Sequence, residues 1–180
     1  MSRLLLGSVA EAVERTARVP VLLLRGQSAW KPWAHGKILI PLDGSEPSEG
    51  VLPVVERLAG PRDLSIFLLE VIEPLPSAVH AELPGQVEEM FAARREDAGR
   101  YLAKVAEPLR DKGVRVGWAV RGGNAAETIV AVAVEQQADL IAMTTHGRSG
   151  LGRLFFGSVA EQVLRSASVP VLLFKAVEEW

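Results

Sequence analysis

No cysteine occurs anywhere in the chain, which excludes disulfides, thiolate nucleophiles and cysteine-ligated zinc. Histidine is nearly as scarce. His35, His80 and His146 lie far apart, each reads as a surface or loop residue, and no metal centre is expected. No apolar run approaches the length of a membrane span, and Leu4, Leu5 and Leu6 are followed too soon by Glu11, Glu14 and Arg15 to form the core of a signal peptide. Twenty basic against 22 acidic residues leave a net charge of −2 and no general basic surface, so neither nucleic acid nor an anionic membrane is expected as a partner. What the chain does have is 48% hydrophobic residues over 180 positions, enough to bury the core of one domain with something left over. A soluble, cytoplasmic protein is expected.

From Lys37 onward the pattern alternates short β-rich runs with helical segments. "KILIPLD" (37–43) is continuously apolar and reads as a strand buried on both faces. Ser45 caps a helix expected to run to Leu58, with Gly60-Pro61 as its stop. "LSIFLLEVI" (64–72) is a second buried strand, leading into a proline-rich loop. A long helix over 86–112 places Val87, Met90, Phe91, Ala98, Tyr101, Leu102, Val105 and Leu109 at three- and four-residue spacing. A third strand spans 114–120, Asn124 caps a helix through Gln137, "DLIAMTT" (139–145) is the fourth strand, Ser158 opens a further helix, and "VPVLLFK" (169–175) is the fifth strand. This order predicts an α/β fold: an open five-stranded parallel sheet with helices on both faces, Rossmann-like in its general plan. Ligands in such sheets bind beyond the carboxyl ends of the strands, which directs attention to Asp43, Val71, Ile72 and the stretch from Thr144.

That stretch, "THGRSGLGRLFFGS" (145–158), carries Gly147, Gly150, Gly152 and Gly157, which let the backbone approach a ligand closely. Gly157-Ser158 lies where a helix begins. Free amides at Ser158 and Val159, the positive helix terminus and the Ser158 hydroxyl make an anion site, with phosphate as the natural guest. Arg148, Ser149 and Arg153 can add charge and donors, or can simply be solvated. The bland reading is that the glycines shape a turn and Ser158 caps a helix; the position after the fourth strand of an α/β sheet favours the ligand. No G-x-x-x-x-G-K-[ST] and no G-x-G-x-x-G after the first strand is present, so neither a P-loop motor nor a standard dinucleotide fold is supported.

Residues 36–175 resemble a universal stress protein domain, through "ILIPLDGSEPSE", "GGNAAETI" and "ADLIAMTTHGRSGLGRLFFGSVAEQVLRSASVPVLL". Nucleotide-binding members of that family carry G-x-x-G, nine residues, then G-[ST]. Gly147, the nine residues 148–156, Gly157 and Ser158 match the last two elements, while Thr144 stands at the first glycine. That Cβ bears on affinity more than on the existence of a site. The resemblance implies ATP, or else ADP or AMP, with or without Mg2+. It implies contacts from Pro41, Leu42 and Asp43 to the adenosine, Asp43 accepting from ribose or adenine, with the backbone at Val71 meeting the adenine edge. Met143 and Thr144 would flank base and sugar. His146, Gly147, Arg148, Gly150, Gly157, Ser158 and Val159 would surround the phosphates. Val71 and Met143 are also core residues in any version of this fold, and Asp43 can instead cap a turn. No acid and base stand together and no activated nucleophile is evident, so no catalytic residue and no metal ligand is assigned. The expected role is a stress-response sensor or regulator. The alternative is a stress-protein module that dimerises without nucleotide. An enzyme of the wider adenine-nucleotide α-hydrolase group would show S-G-G-x-D-S where this chain reads "DGSEPSE".

The chain also repeats itself. At an offset of 150, residues 3–23 match 153–173 at 15 of 21 positions, including "GSVAE" and "VPVLL". Residues 1–25 therefore look like the last helix and strand of a second stress-protein domain, as in a tandem protein that begins late, followed by a linker (26–35), the complete domain (36–175) and a tail (176–180). An orphan helix and strand need a host. The resemblance implies pairing through the last strand, so 19–25 is expected against 169–175 of its own or a neighbouring chain, giving a homodimer through either strand or a cis cap. Pro20 and Pro170 each lack a donor and suit an edge.

Overall fold

A computed structural model describes residues 17, 19–24, 36–59, 63–74, 84–145 and 157–175. The elements in chain order are β1 (Val21–Leu23), β2 (Lys37–Leu42), α1 (Glu46–Glu49), α2 (Leu52–Ala59), β3 (Ser65–Ile72), α3 (Pro84–Asp111), β4 (Arg115–Gly122), α4 (Ala125–Glu135), β5 (Leu140–Thr144), α5 (Ser158–Ser166) and β6 (Val171–Phe174). They build one six-stranded sheet in the order β1-β6-β5-β2-β3-β4. The five strands β2 to β6 are parallel to one another where they pair, as expected; β1 adds a sixth strand, antiparallel to β6.

The central strands are apolar through most of their length because both faces are covered. Ile38, Leu39, Ile40, Leu68, Leu69 and Ile141 have no or almost no exposed surface, and each such side chain contributes roughly 1.5–3 kcal/mol by leaving water. Alternation along the strands divides them between two layers. Ile38, Ile40, Ile66, Leu68, Leu140, Ala142 and Leu172 pack with α1, α2 and α3. Leu39, Leu69, Ile141, Met143, Val171 and Leu173 pack with α4 and α5.

The helix expected over 45–58 is divided. Ser45 does cap α1, its side chain accepting from the Ser48 amide, but α1 ends after one turn at Gly50. Pro53 lies at the second position of α2 and lacks the N–H that would bond back to Glu49, so one continuous helix is interrupted there. Pro20 and Pro170 sit just before β1 and β6 rather than inside them. The proposed linker 26–35, the tail 176–180 and the helix of the first repeat lie outside the described residues.

The two edges of the sheet differ. On β4, the Val116 carbonyl accepts from Arg110 Nε at 3.1 Å and from its terminal nitrogen at 2.7 Å, and Arg121 approaches the Val120 carbonyl at 3.5 Å. Arginines thus occupy carbonyls of this edge and discourage another strand from adding to it. On the other side, β6 is not an edge at all, because β1 covers it. No helix among the described residues is long and apolar enough to cross a membrane.

Candidate functional site

Strand order reverses between β2 and β5: from β2 the chain moves to β3 and β4 on one side, and from β5 to β6 on the other. In doubly wound sheets neighbouring crossovers diverge at such a point, and ligands bind beyond the strand ends there. The β2–β5 register, Ile38 opposite Leu140 and Leu39 opposite Ile141, brings the ends at Leu42 and Thr144 level when continued.

Asp43 follows β2 directly. Its Oδ1 accepts from the Ser45 amide at 3.0 Å and from the Ser45 hydroxyl at 2.5 Å. Gly44 between them has φ of 78°, a left-handed turn that glycine makes without strain. The Asp43 amide donates to Ser48 Oγ at 3.4 Å, and the Ser48 hydroxyl donates to the Ser45 carbonyl at 2.7 Å. The aspartate is therefore fixed by the turn it shapes, with its side chain only half-buried. Pro41 is also half-buried, whereas Leu42 packs into the α1–α3 layer and leaves only its main chain for a ligand.

On the β5 side, Met143 is a core residue of the α4–α5 layer, and Thr144 and Thr145 are buried at 6% and 2% exposure. Thr145 joins three elements, a role the sequence reading did not assign. Its amide donates to the Phe174 carbonyl at 3.0 Å, and its carbonyl accepts from the Gly157 amide at 2.8 Å. That second bond sets the beginning of α5 beside the end of β5. The only advance signal is the second threonine in "MTTHG", placed where the strand must hand over to the loop.

The first turn of α5 differs from those of α1 and α4. Ser45 and Asn124 accept from amides of their helices, whereas at Gly157, with φ −60° and ψ 148°, no side-chain bond among the described residues caps α5. The exposed Ser158 and half-buried Val159 follow it. The amides of a helix's first turn, which have no partner within the helix, and the helix dipole favour a negative group here. Val71, near the carboxyl end of β3, is half-buried and packs against the α4–α5 layer. The structure thus places Pro41, Leu42, Asp43, Val71, Met143, Thr144, Gly157, Ser158 and Val159 at the carboxyl end of the sheet or at the start of α5. His146, Gly147, Arg148 and Gly150 lie outside the described residues.

A second polar cluster borders the α1 side. The Tyr101 hydroxyl donates to Glu49 Oε1 at 3.0 Å. Burial, followed by the negative charge of Glu49 and this hydrogen bond, pushes the Tyr101 phenol well above its ordinary pKa; Glu70 adds in the same direction, while a bond with Ser48 opposes it. Among the described residues, no group of three histidine or acidic side chains could hold a metal ion.

Comparison with known proteins places this geometry among relatives. Residues 35–175 match the family described as the "Universal stress protein family". The chain is 32% identical over 154 residues to universal stress protein MJ0531 of Methanocaldococcus jannaschii, covering 86% of this chain and 87% of that protein. It is 31% identical over 183 residues to universal stress protein Rv2005c of Mycobacterium tuberculosis, where 96% of this chain spans only 57% of the relative. The solved structure of MJ0577, also from M. jannaschii, superposes with a TM-score of 0.71 at 29% identity, covering 79% of this chain and 97% of that one.

Proposed function

The chain belongs to the universal stress protein family, with a general role in stress response, and from that premise we propose that it is a nucleotide-responsive regulator that binds ATP in the crevice between β2 and β5. One observation carries the reading: the first turn of α5, with no side-chain cap among the described residues, is anchored by the Gly157–Thr145 bond directly beside the strand-order switch. Its amides and the Ser158 hydroxyl receive the phosphates. Asp43 stands across the crevice, half-buried and oriented by Ser45, as acceptor for a ribose hydroxyl or the adenine amine. Pro41 and the backbone at Leu42, Val71, Met143 and Thr144 border the base and sugar. His146, Gly147, Arg148 and Gly150 complete the phosphate side. Mg2+, when it accompanies ATP, arrives on the polyphosphate, since the described residues offer no three-ligand cluster of their own. ADP and AMP bind the same place with fewer phosphate contacts. The protein acts in the cytoplasm, and the match of 96% of the chain to 57% of a longer relative supports reading residues 1–25 as the closing helix and strand of a preceding domain.

A reading without nucleotide, as an interaction module, draws on Oδ1 of Asp43 being engaged already by Ser45 and on Thr144 standing at the first glycine of the motif. Mass spectrometry of small molecules released from purified protein, followed by calorimetric titration with ATP, ADP and AMP, separates the two. Binding that strengthens with phosphate number supports the site; no heat and no released nucleotide favours the module.

A further inference from the structure

The one-turn helix α1 is held at both of its ends, by different parts of the fold. At its start, the Asp43 carboxylate accepts from the Ser45 amide and hydroxyl, and the Ser45 side chain accepts from the Ser48 amide. Ser48, only 4% exposed, closes this loop. Its hydroxyl accepts from the Asp43 amide at 3.4 Å and donates to the Ser45 carbonyl at 2.7 Å. At the other end, Glu49 Oε1 accepts from the Tyr101 hydroxyl at 3.0 Å, across 52 positions of sequence. The Ser48 hydroxyl is a further hydrogen-bonding neighbour of the same phenol. Gly44, at φ 78°, sets the turn off from β2, and Pro53 interrupts the helical ladder between it and α2. The turn is thus a small body whose orientation is fixed by Asp43 on one side and Tyr101 on the other.

Tyr101 stands on α3, the helix that covers β3 and β4. Its ring packs against the α1–α3 layer beside Leu102 and Val105, a task that phenylalanine would serve equally. The hydroxyl adds nothing to that packing and is spent on Glu49. Glu70 is the second carboxylate acting on the phenol, and the β2–β3 register sets Glu70 opposite Leu42, one residue before Asp43. Burial and the two carboxylates keep the phenol protonated, so it remains a donor to Glu49 throughout the neutral range.

We infer, on the nucleotide reading given above, that Tyr101 is a positioning residue for the ATP site: through Glu49 and α1 it sets the Asp43 carboxylate, and occupancy at Asp43 is registered at the phenol on α3. Coupling of this kind is reciprocal. A nucleoside that draws Asp43 Oδ1 toward its own donor weakens the hold on Ser45, and the turn carrying Ser48 and Glu49 follows.

Tyr101 is the only tyrosine, so isotope labelling at tyrosine Cζ gives a resonance that reports this phenol alone. Titration of the full chain with ATP should shift that resonance in step with the calorimetric binding curve. Tyr101→Phe keeps the ring and should weaken ATP about fivefold. Glu49→Ala should weaken ATP to the same extent and abolish the Tyr101 response, while Glu49→Gln, which still accepts from the phenol, should restore both. A purely structural role would lower the melting temperature of Y101F without changing its ATP affinity, and that result overturns the inference. So does a Tyr101 shift that survives E49A unchanged, since proximity to the nucleotide alone would then explain it. Shifts at the Ser158 and Val159 amides with a motionless Tyr101 resonance would leave the nucleotide site standing and remove the coupling; absence of ATP binding would remove both. The wild-type resonance requires no substitution and decides the matter even where Y101F or E49A fails to fold.

Discussion

At Asp43 two duties meet in one carboxylate. Oδ1 orders the turn by accepting from Ser45, and the proposal asks the same group to accept from the nucleoside. Substitution separates them. Asp43→Asn keeps an oxygen for the turn and should leave the melting temperature nearly unchanged while weakening ATP about tenfold, because a hydrogen bond to a charged acceptor is worth roughly 1.5–3 kcal/mol. Asp43→Ala should also lose about 1 kcal/mol of stability with the turn bond. Equal ATP affinity in all three proteins, measured calorimetrically, would remove Asp43 from the site. Gly157 gives a complementary test. Its φ of −60° is open to any residue, so Gly157→Leu should fold normally and lose ATP affinity by at least about tenfold through obstruction of the amides. Tyr101 is the chain's only tyrosine, so phenolate absorbance reports it alone. Its raised pKa means that the fold favours the protonated phenol: this contribution is intact below about pH 10 and is lost as pH rises beyond it. Absorbance should titrate above that ordinary midpoint, and Glu49→Gln should bring it partly back. An ordinary midpoint in the folded wild-type chain would contradict the assigned burial.

Among the elements, the buried strands were the most legible. "ILI" in β2 and "IFLL" in β3 are unbroken apolar runs because helices cover both faces, and with the alternation of strands and helices they implied the parallel sheet. Asn124 and Ser45 were readable as caps for the same local reason: a short polar side chain precedes an apolar helical repeat. The division between α1 and α2 was not read, although Pro53 carried the signal, because the apolar spacing of Val51, Val54 and Val55 continues across it. Leu68→Ala, at the centre of β3, should cost about 2–5 kcal/mol in urea unfolding. Gly123→Ala tests a turn instead of the core. Gly123 has φ of 140°, and an added Cβ would lie 2.8 Å from Thr128 Oγ1. The strain should lower stability by about 1–3 kcal/mol, whereas an unchanged unfolding midpoint would mean that the β4–α4 turn relaxes freely.

For the whole molecule, the topology determines what can be a site and what the sequence could reveal of it. Strand alternation made the carboxyl ends of β2, β3 and β5 legible as a ligand edge, since the side of the sheet is a consequence of parallel order. The meeting of β5 with α5 through Thr145 and Gly157 was not, because a hydrogen bond between residues separated by a loop leaves no periodic trace. The repeat announced that 19–25 would pair with 169–175, but two nearly identical strands fit equally well within a chain or between chains, and the sequence has no term that separates the two; in the single chain β1 pairs with β6. The proposed site needs strands and a helix start from the 36–175 domain alone, so one nucleotide per chain is expected. The most direct measurement is an amide chemical-shift titration of isotopically labelled protein with ATP. Shifts at Ser158 and Val159 that saturate at one equivalent, and that AMP produces more weakly, are the predicted result. Binding that moves amides elsewhere while Ser158 and Val159 stay fixed, or no binding at all, would contradict the account.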